Sequence, residues 1–329
     1  MSPKTPRLTR DELVTIISDY YTFLTKFYLP SSAVKYPPPG GWPNITPEAT
    51  KDLDKSAIVI ELIKHLPYIE RPSADEHDRA HNIHYKSDVI DYSVLAPDEL
   101  TTEWFADGAE SLQEWWDDMA ADKAERGDED GDDENEDESE EGVDGGSNTE
   151  GDNDDEDSDN EENWWDGDDP DDFQMTNMVV LALGSESGGR TLILDVFKGN
   201  IYEDMIRCDL LPSCPVESFF EDLREKFKKL ELVPTLGEMY EGESDIDDGN
   251  EKILEAVDVE KRAQSNLQSN FEVKQFRKIW REHGWPGEGF RKEEALAAIR
   301  ECRGRLDIYW YLESIYDYLS SYFLIESIG

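Results

Sequence analysis

Met178-Val-Val-Leu-Ala-Leu183 is a run of six apolar residues. It is followed by the turn Gly184-Ser-Glu-Ser-Gly-Gly189 and then by Thr191-Leu-Ile-Leu-Asp-Val-Phe197. A short continuous apolar run bounded by glycines predicts a strand buried on both faces. The second run predicts its returning partner, and Lys198-Gly199-Asn200 predicts another turn into Ile201-Tyr202, giving an antiparallel meander. Pro215 then opens a helix whose Val216, Phe219, Phe220, Leu223, Phe227 and Leu230 recur at helical spacing, and Pro234 marks its exit.

Upstream, Thr9 to Glu12 fits a capping box. Leu13, Ile16, Ile17, Tyr20, Leu24, Phe27 and Tyr28 then predict a helix that stops by Pro30. Tyr36-Pro-Pro-Pro-Gly-Gly-Trp-Pro43 favours polyproline II followed by a turn. Thr46-Pro47 predicts a second helix running to about His65, after which Leu66–Ile69 is extended. Short strands are expected at 83–86 and 89–92, and a short amphipathic helix around Leu112, Trp115, Trp116 and Met119. Residues 237–250 are expected to form a second acidic loop. Helices are expected over about 251–267, 271–283 (Phe276, Ile279 and Trp280 inward, Gly284 as cap), 291–303 and 305–324.

Between these halves lies a stretch of another kind. Residues 127–172 hold 26 Asp or Glu and no Lys or Arg, more than half of the formal net charge of −47. Such a segment cannot bury enough apolar surface to offset its chain entropy, and its like charges extend it. The expected organisation is therefore an α+β fold, an antiparallel sheet flanked by helices. It comprises N-terminal helices and first strands over 1–126, a disordered acidic insertion over 127–172, strands and a packing helix of the same domain over 173–235, and a helical extension over 251–329.

The charge argues against binding bare nucleic acid, which needs clustered Lys and Arg, and against an anionic membrane surface. It favours a basic protein partner. No run of about 18 apolar residues is present for a membrane span, and Met1–Arg10 carries no signal-like apolar stretch. Cys208, Cys214 and Cys302 are too few and too odd in number for a disulfide framework, which points to a reducing compartment, the cytoplasm by default, with the nucleus as the alternative. Nothing in the sequence calls for a cofactor or fixes the oligomeric state.

The strand, Gly-rich turn, Leu-Asp strand, Gly turn, Ile-Tyr and helix order of residues 178–230 resembles the SUKH superfamily, which includes fungal glucan-synthesis regulators and bacterial toxin-immunity proteins. Gly189, Leu194, Asp195, Gly199, Ile201 and Tyr202 carry the likeness. The Pro-rich N-terminal half matches less well and looks like a fungal-type divergent member. The resemblance implies a non-enzymatic protein-binding module, a scaffold or regulator, and supplies no ligand residues.

His77, His81 and His84 stand at i, i+4 and i+7, which on a helix would gather three imidazoles for Zn²⁺ or Ni²⁺. The segment reads instead as a polar loop, and His77-Asp-Arg-Ala-His81 is not the HExxH of zinc proteases. EF-hand loops starting at Asp128 or Asp245 fail at the glycine position. Ser147, Thr149 and Ser158 each have an acid three residues on and fit acidophilic kinases. Trp164-Trp165 is an apolar anchor, either for a partner or for the return of the chain to its core. There is neither G-x-S-x-G nor a P-loop, and the spacing of Cys208 and Cys214 is too wide for a CxxC pair. Two further functions stay open beside the binding module: an acidic chaperone for basic proteins acting through 127–172, and a hydrolase built on dispersed carboxylates.

Overall fold

A computed structural model describes residues 5–72, 80–96, 99–100, positions 112, 114, 117 and 121, and residues 174–208, 210–242 and 265–305. The chain divides into two compact units, Met1–Ala109 with Met175–Gly329, and Glu110–Gln174. In the second unit, positions 112, 114, 117 and 121 are helical. The acidic stretch 127–172, the expected helices over 251–264 and 306–324, and residues 243–250 lie outside the described residues.

The first unit is α+β. Helix α1 (Arg10–Phe27) begins at the expected capping box: Thr9 and Glu12 exchange side-chain and backbone hydrogen bonds. Its buried face is Leu13, Ile17, Tyr20, Tyr21, Leu24 and Phe27. Strand β1 (Val34–Lys35) pairs with β2 (Tyr68–Ile69) on either side of helix α2 (Ala57–His65). Next, β3 (Ser87–Val89) starts the main sheet, which continues with β4 (Met178–Gly184), β5 (Arg190–Asp195), β6 (Asn200–Met205) and β7 (Leu210–Pro215). All five strands are antiparallel and lie in chain order. Helix α3 (Val216–Lys229) follows, then the hairpin β8 (Leu232–Pro234) and β9 (Met239–Glu241), helix α4 (Ser265–Glu282) and helix α5 (292–305).

The apolar patterns explain the packing. Every residue of β5 is buried, as are the first five of β4, so the continuous apolar runs do sit in the middle of the sheet. The predicted stripe of α3 is buried throughout and meets α1, with the Tyr20 and Phe220 rings 4.6 Å apart. The C-terminal helices join the same unit. Phe27 stacks on Trp285 at 3.7 Å and lies 4.6 Å from Trp280. Each indole N–H is satisfied by a backbone carbonyl, Trp280 to Pro234 (3.1 Å) and Trp285 to Phe227 (2.9 Å). Lys292 at the start of α5 donates to the carbonyls of Thr25 and Leu29, satisfying acceptors at the end of α1.

Several elements depart from expectation. The helix expected from Thr46 to His65 is two pieces. Thr46 does cap a turn, accepting from the Ala49 amide (3.2 Å), but the helix proper starts only after Ser56, whose amide donates to the Thr176 carbonyl (2.8 Å). The two strands expected at 83–86 and 89–92 become one, because Lys86 adopts φ +48 and folds 84–87 into a tight turn, while Tyr92–Val94 is a 3₁₀ turn. Strand β7 was hidden by Pro212 and Pro215, which fit here because β7 is an edge strand. Part of the stretch expected as a second acidic loop is strand β9. Residues 265–282 are one helix where two were expected, and Ile279 is only half-buried.

Candidate functional site

Two places in the first unit concentrate polar chemistry. The first is a buried ion cluster beside the ends of β5 and β6. Arg190 opens β5, Glu203 stands on β6 opposite Leu192, two residues along β5 from Arg190, and Glu241 ends β9. Arg190 Nη2 donates to Glu241 Oε2 at 2.8 Å, and its Nε is 3.3 Å from Glu203 Oε1. His84, fully buried, approaches the same Glu203 oxygen through Nε2 at 3.3 Å. At 3.3 Å neither contact on Glu203 is an aligned hydrogen bond; that of Arg190 is an ion pair and that of His84 a polar contact.

The backbone assigns the histidine proton. His84 Nδ1 accepts the Tyr85 amide at 2.6 Å, which places the ring proton on Nε2, facing Glu203. Burial works to raise the Glu203 carboxyl. The His84 contact, Arg190 and Lys226 outweigh it and hold the group below the ordinary carboxylate range. A general acid needs the opposite shift. The neighbouring Cys214 thiol is pushed up to about 11, by burial first and then by the Asp222 and Glu203 charges, so it is protonated at neutral pH. This constellation is chemically a charge clamp joining three strands.

The second place is the rim at which the chain leaves for, and returns from, the acidic stretch. On the outgoing side, Asn44 Nδ2 donates to the carbonyls of Tyr92 (2.9 Å) and Leu95 (3.2 Å). On the incoming side, Lys55 Nζ donates to the Met175 carbonyl (2.8 Å), and the Ser56 amide to Thr176. Tyr92 Oη bonds the Val180 carbonyl at 2.7 Å, closing one side on the other, and α2 packs against both. Burial pulls Lys55 down to about 8, partly opposed by Asp54. One short loop, 44–56, therefore grips the described chain both before and after the segment that contains the acidic stretch.

A shallow groove of about 400 Å³ between the starts of α1 and α2 adds little chemistry, since Arg10 there is paired to Asp11 and Glu61. Of the residues singled out from sequence, His77, Trp164, Trp165, Ser147, Thr149 and Ser158 lie outside the described residues. His81 and His84 are both buried and each engages a backbone group of its own, His81 Nδ1 the Glu70 carbonyl at 2.6 Å and His84 Nδ1 the Tyr85 amide. Among the described residues no group of three His, Cys, Asp or Glu is placed to hold a metal. No disulfide links the cysteines; Cys208 is exposed, Cys214 half-buried and Cys302 buried. Among the described residues no helix is long and apolar enough to cross a membrane.

The Arg190 cluster was missed from sequence, although one signal was available: a cation just ahead of the apolar run Leu192–Leu194, in a strand expected to be buried, requires a buried partner. The motif residues, by contrast, serve turn chemistry. Asp195 Oδ1 accepts the amides of Phe197 (2.8 Å) and Lys198 (2.9 Å). Gly199 takes φ +70, and any Cβ there would meet the Arg7 guanidinium at 2.8 Å. Arg7 itself bonds the Lys198 and Gly199 carbonyls and pairs with Glu217.

Comparison with protein-family models, with curated proteins and with solved structures returns no match for this chain.

Proposed function

We propose that the chain is a non-enzymatic protein-interaction module, a scaffold or regulator. The observation that carries this is the rim: a single loop of the α+β body fastens Tyr92 and Leu95 on one side and Met175 and Thr176 on the other, the described chain flanking the long segment that contains the acidic stretch. A body from which a strongly charged segment departs and to which it returns at one rim is of use to a partner that reads both. The strand and turn order of residues 178–230, with its likeness to the SUKH superfamily, supports the same reading. The polar groups gathered in the body support it too, since Arg190, Glu203, His84 and Glu241 are engaged with one another. The cytoplasm is the compartment this reading takes, with the nucleus as the alternative. Affinity capture with the full-length chain and with a chain lacking 127–172 tests it. A reproducible partner for at least one form is expected, and none for either would overturn the reading.

A second reading is favoured by the 26 acidic residues of the excursion, namely engagement of basic proteins as an acidic chaperone. It predicts binding to core histones that weakens steeply with salt and disappears on deletion of 127–172. Binding that survives the deletion would remove it.

A further inference from the structure

The Pro-rich segment of the N-terminal half has no part in the rim or the ion cluster, yet it is built with care. Tyr36, Pro37 and Pro38 each precede a proline, which excludes helical backbone, and each pyrrolidine ring fixes its own φ. The run is therefore polyproline II, and it ends in a defined turn. The Gly41 amide donates to the Pro38 carbonyl at 2.9 Å, with Pro39 and Gly40 (φ +99) between, the residue pair a type II turn demands. Both flanks are fastened. Val34–Lys35 pairs with β2, and Trp42 donates its amide to Lys64 (2.9 Å) and its indole N–H to Leu66 (2.8 Å).

The segment displays most of its apolar groups. Tyr36 is 56% exposed, and Pro38 and Pro39 are exposed. The Tyr36 hydroxyl lies 3.5 Å from that of Thr22, so a single polar contact steadies the ring. The ion pair of Lys35 with Asp91 ties this segment to the 3₁₀ turn that carries Val94, another large exposed apolar side chain. Residues 36–47 contain no charged residue in a chain that is 34% charged.

We infer that Tyr36–Gly40 is a docking ridge for a protein domain that reads polyproline II through an aromatic-lined groove. The chemistry matches on each count. An aromatic ring leads into successive pyrrolidine rings on a left-handed extended backbone, the shape such grooves take. Both ends are fixed in the folded chain, so little conformational entropy remains to be lost on binding. The absence of charge removes any need for a basic partner at this place. This inference rests on the interaction-module reading and names a partner class for it, separate from the acidic excursion.

The test titrates purified SH3, WW and EVH1 domains onto the immobilised full-length chain by biolayer interferometry. At least one class is expected to bind. Tyr36→Ala and Pro37→Ala should each weaken it at least tenfold, a free peptide of residues 34–43 should compete, and a chain lacking 127–172 should bind unchanged. Thermal melting of each variant alongside shows whether the fold is kept; should Tyr36→Ala melt early, the peptide competition decides. Absence of binding by all three classes, binding indifferent to Tyr36→Ala, or binding lost only with 127–172 would overturn the ridge. If the ridge fails while affinity capture still yields a partner, the interaction-module reading stands without it.

Discussion

Glu203 is the residue on which the buried electrostatics turn. It receives Arg190 and His84 within 3.3 Å and is mostly shielded from water. Its folded-state pKa lies below the ordinary value, so its stabilising contribution is present above about pH 4.5 and is lost as pH falls through the folded value. Replacing it by Gln leaves Arg190 with one carboxylate in a buried place. Glu203→Gln should cost about 3 kcal/mol at pH 7 in urea unfolding, the scale for breaking a buried pair, with the gap to wild type closing as pH falls through the lowered folded-state value. Lys55 gives the opposite sign. With its folded pKa near 8 against 10.5, the fold bears the cost of burying the charge below pH 8 and is relieved of it between 8 and 10.5. Stability should rise over that window in the wild type, and Lys55→Met should flatten the rise. None of these partnerships was legible in the sequence. The three histidines formed a regular pattern, whereas the real partner of His84 lies 119 positions away on another strand.

At the scale of elements, what could be read was what local physics decides. The α1 capping box, the α3 stripe and the buried runs of β4 and β5 are self-consistent over short spans, and the structure keeps them. What could not be read was decided by distant chain. The Thr176 carbonyl, not Thr46, marks where α2 starts, and an edge position is what permits the prolines of β7. The caps and aromatic contacts should show their ordinary energies. Thr9→Ala is expected to cost about 1 kcal/mol. Phe27→Ala, which empties the space between Trp280, Trp285 and Phe227, should cost about 3–5 kcal/mol in the same unfolding assay.

For the whole molecule, the acidic stretch is an addition to a fold that closes without it. β3 before it and β4 after it are hydrogen-bonded neighbours, and Tyr92 and Lys55 fasten the described chain on either side of it. Loop-closure entropy varies slowly with length, so deleting 127–172 should change unfolding free energy by no more than about 1 kcal/mol, in the stabilising direction. On the proposed interaction reading, loop 44–56 at the rim is a place where a partner would be met. Lys51 lies four residues before Lys55, is well exposed, and reports on that place. Cross-linking mass spectrometry in the native cell tests the interaction reading most directly. A recurrent intermolecular cross-link from Lys51 to one protein is predicted, and a pattern of intramolecular links alone, with no recurrent partner, would contradict it.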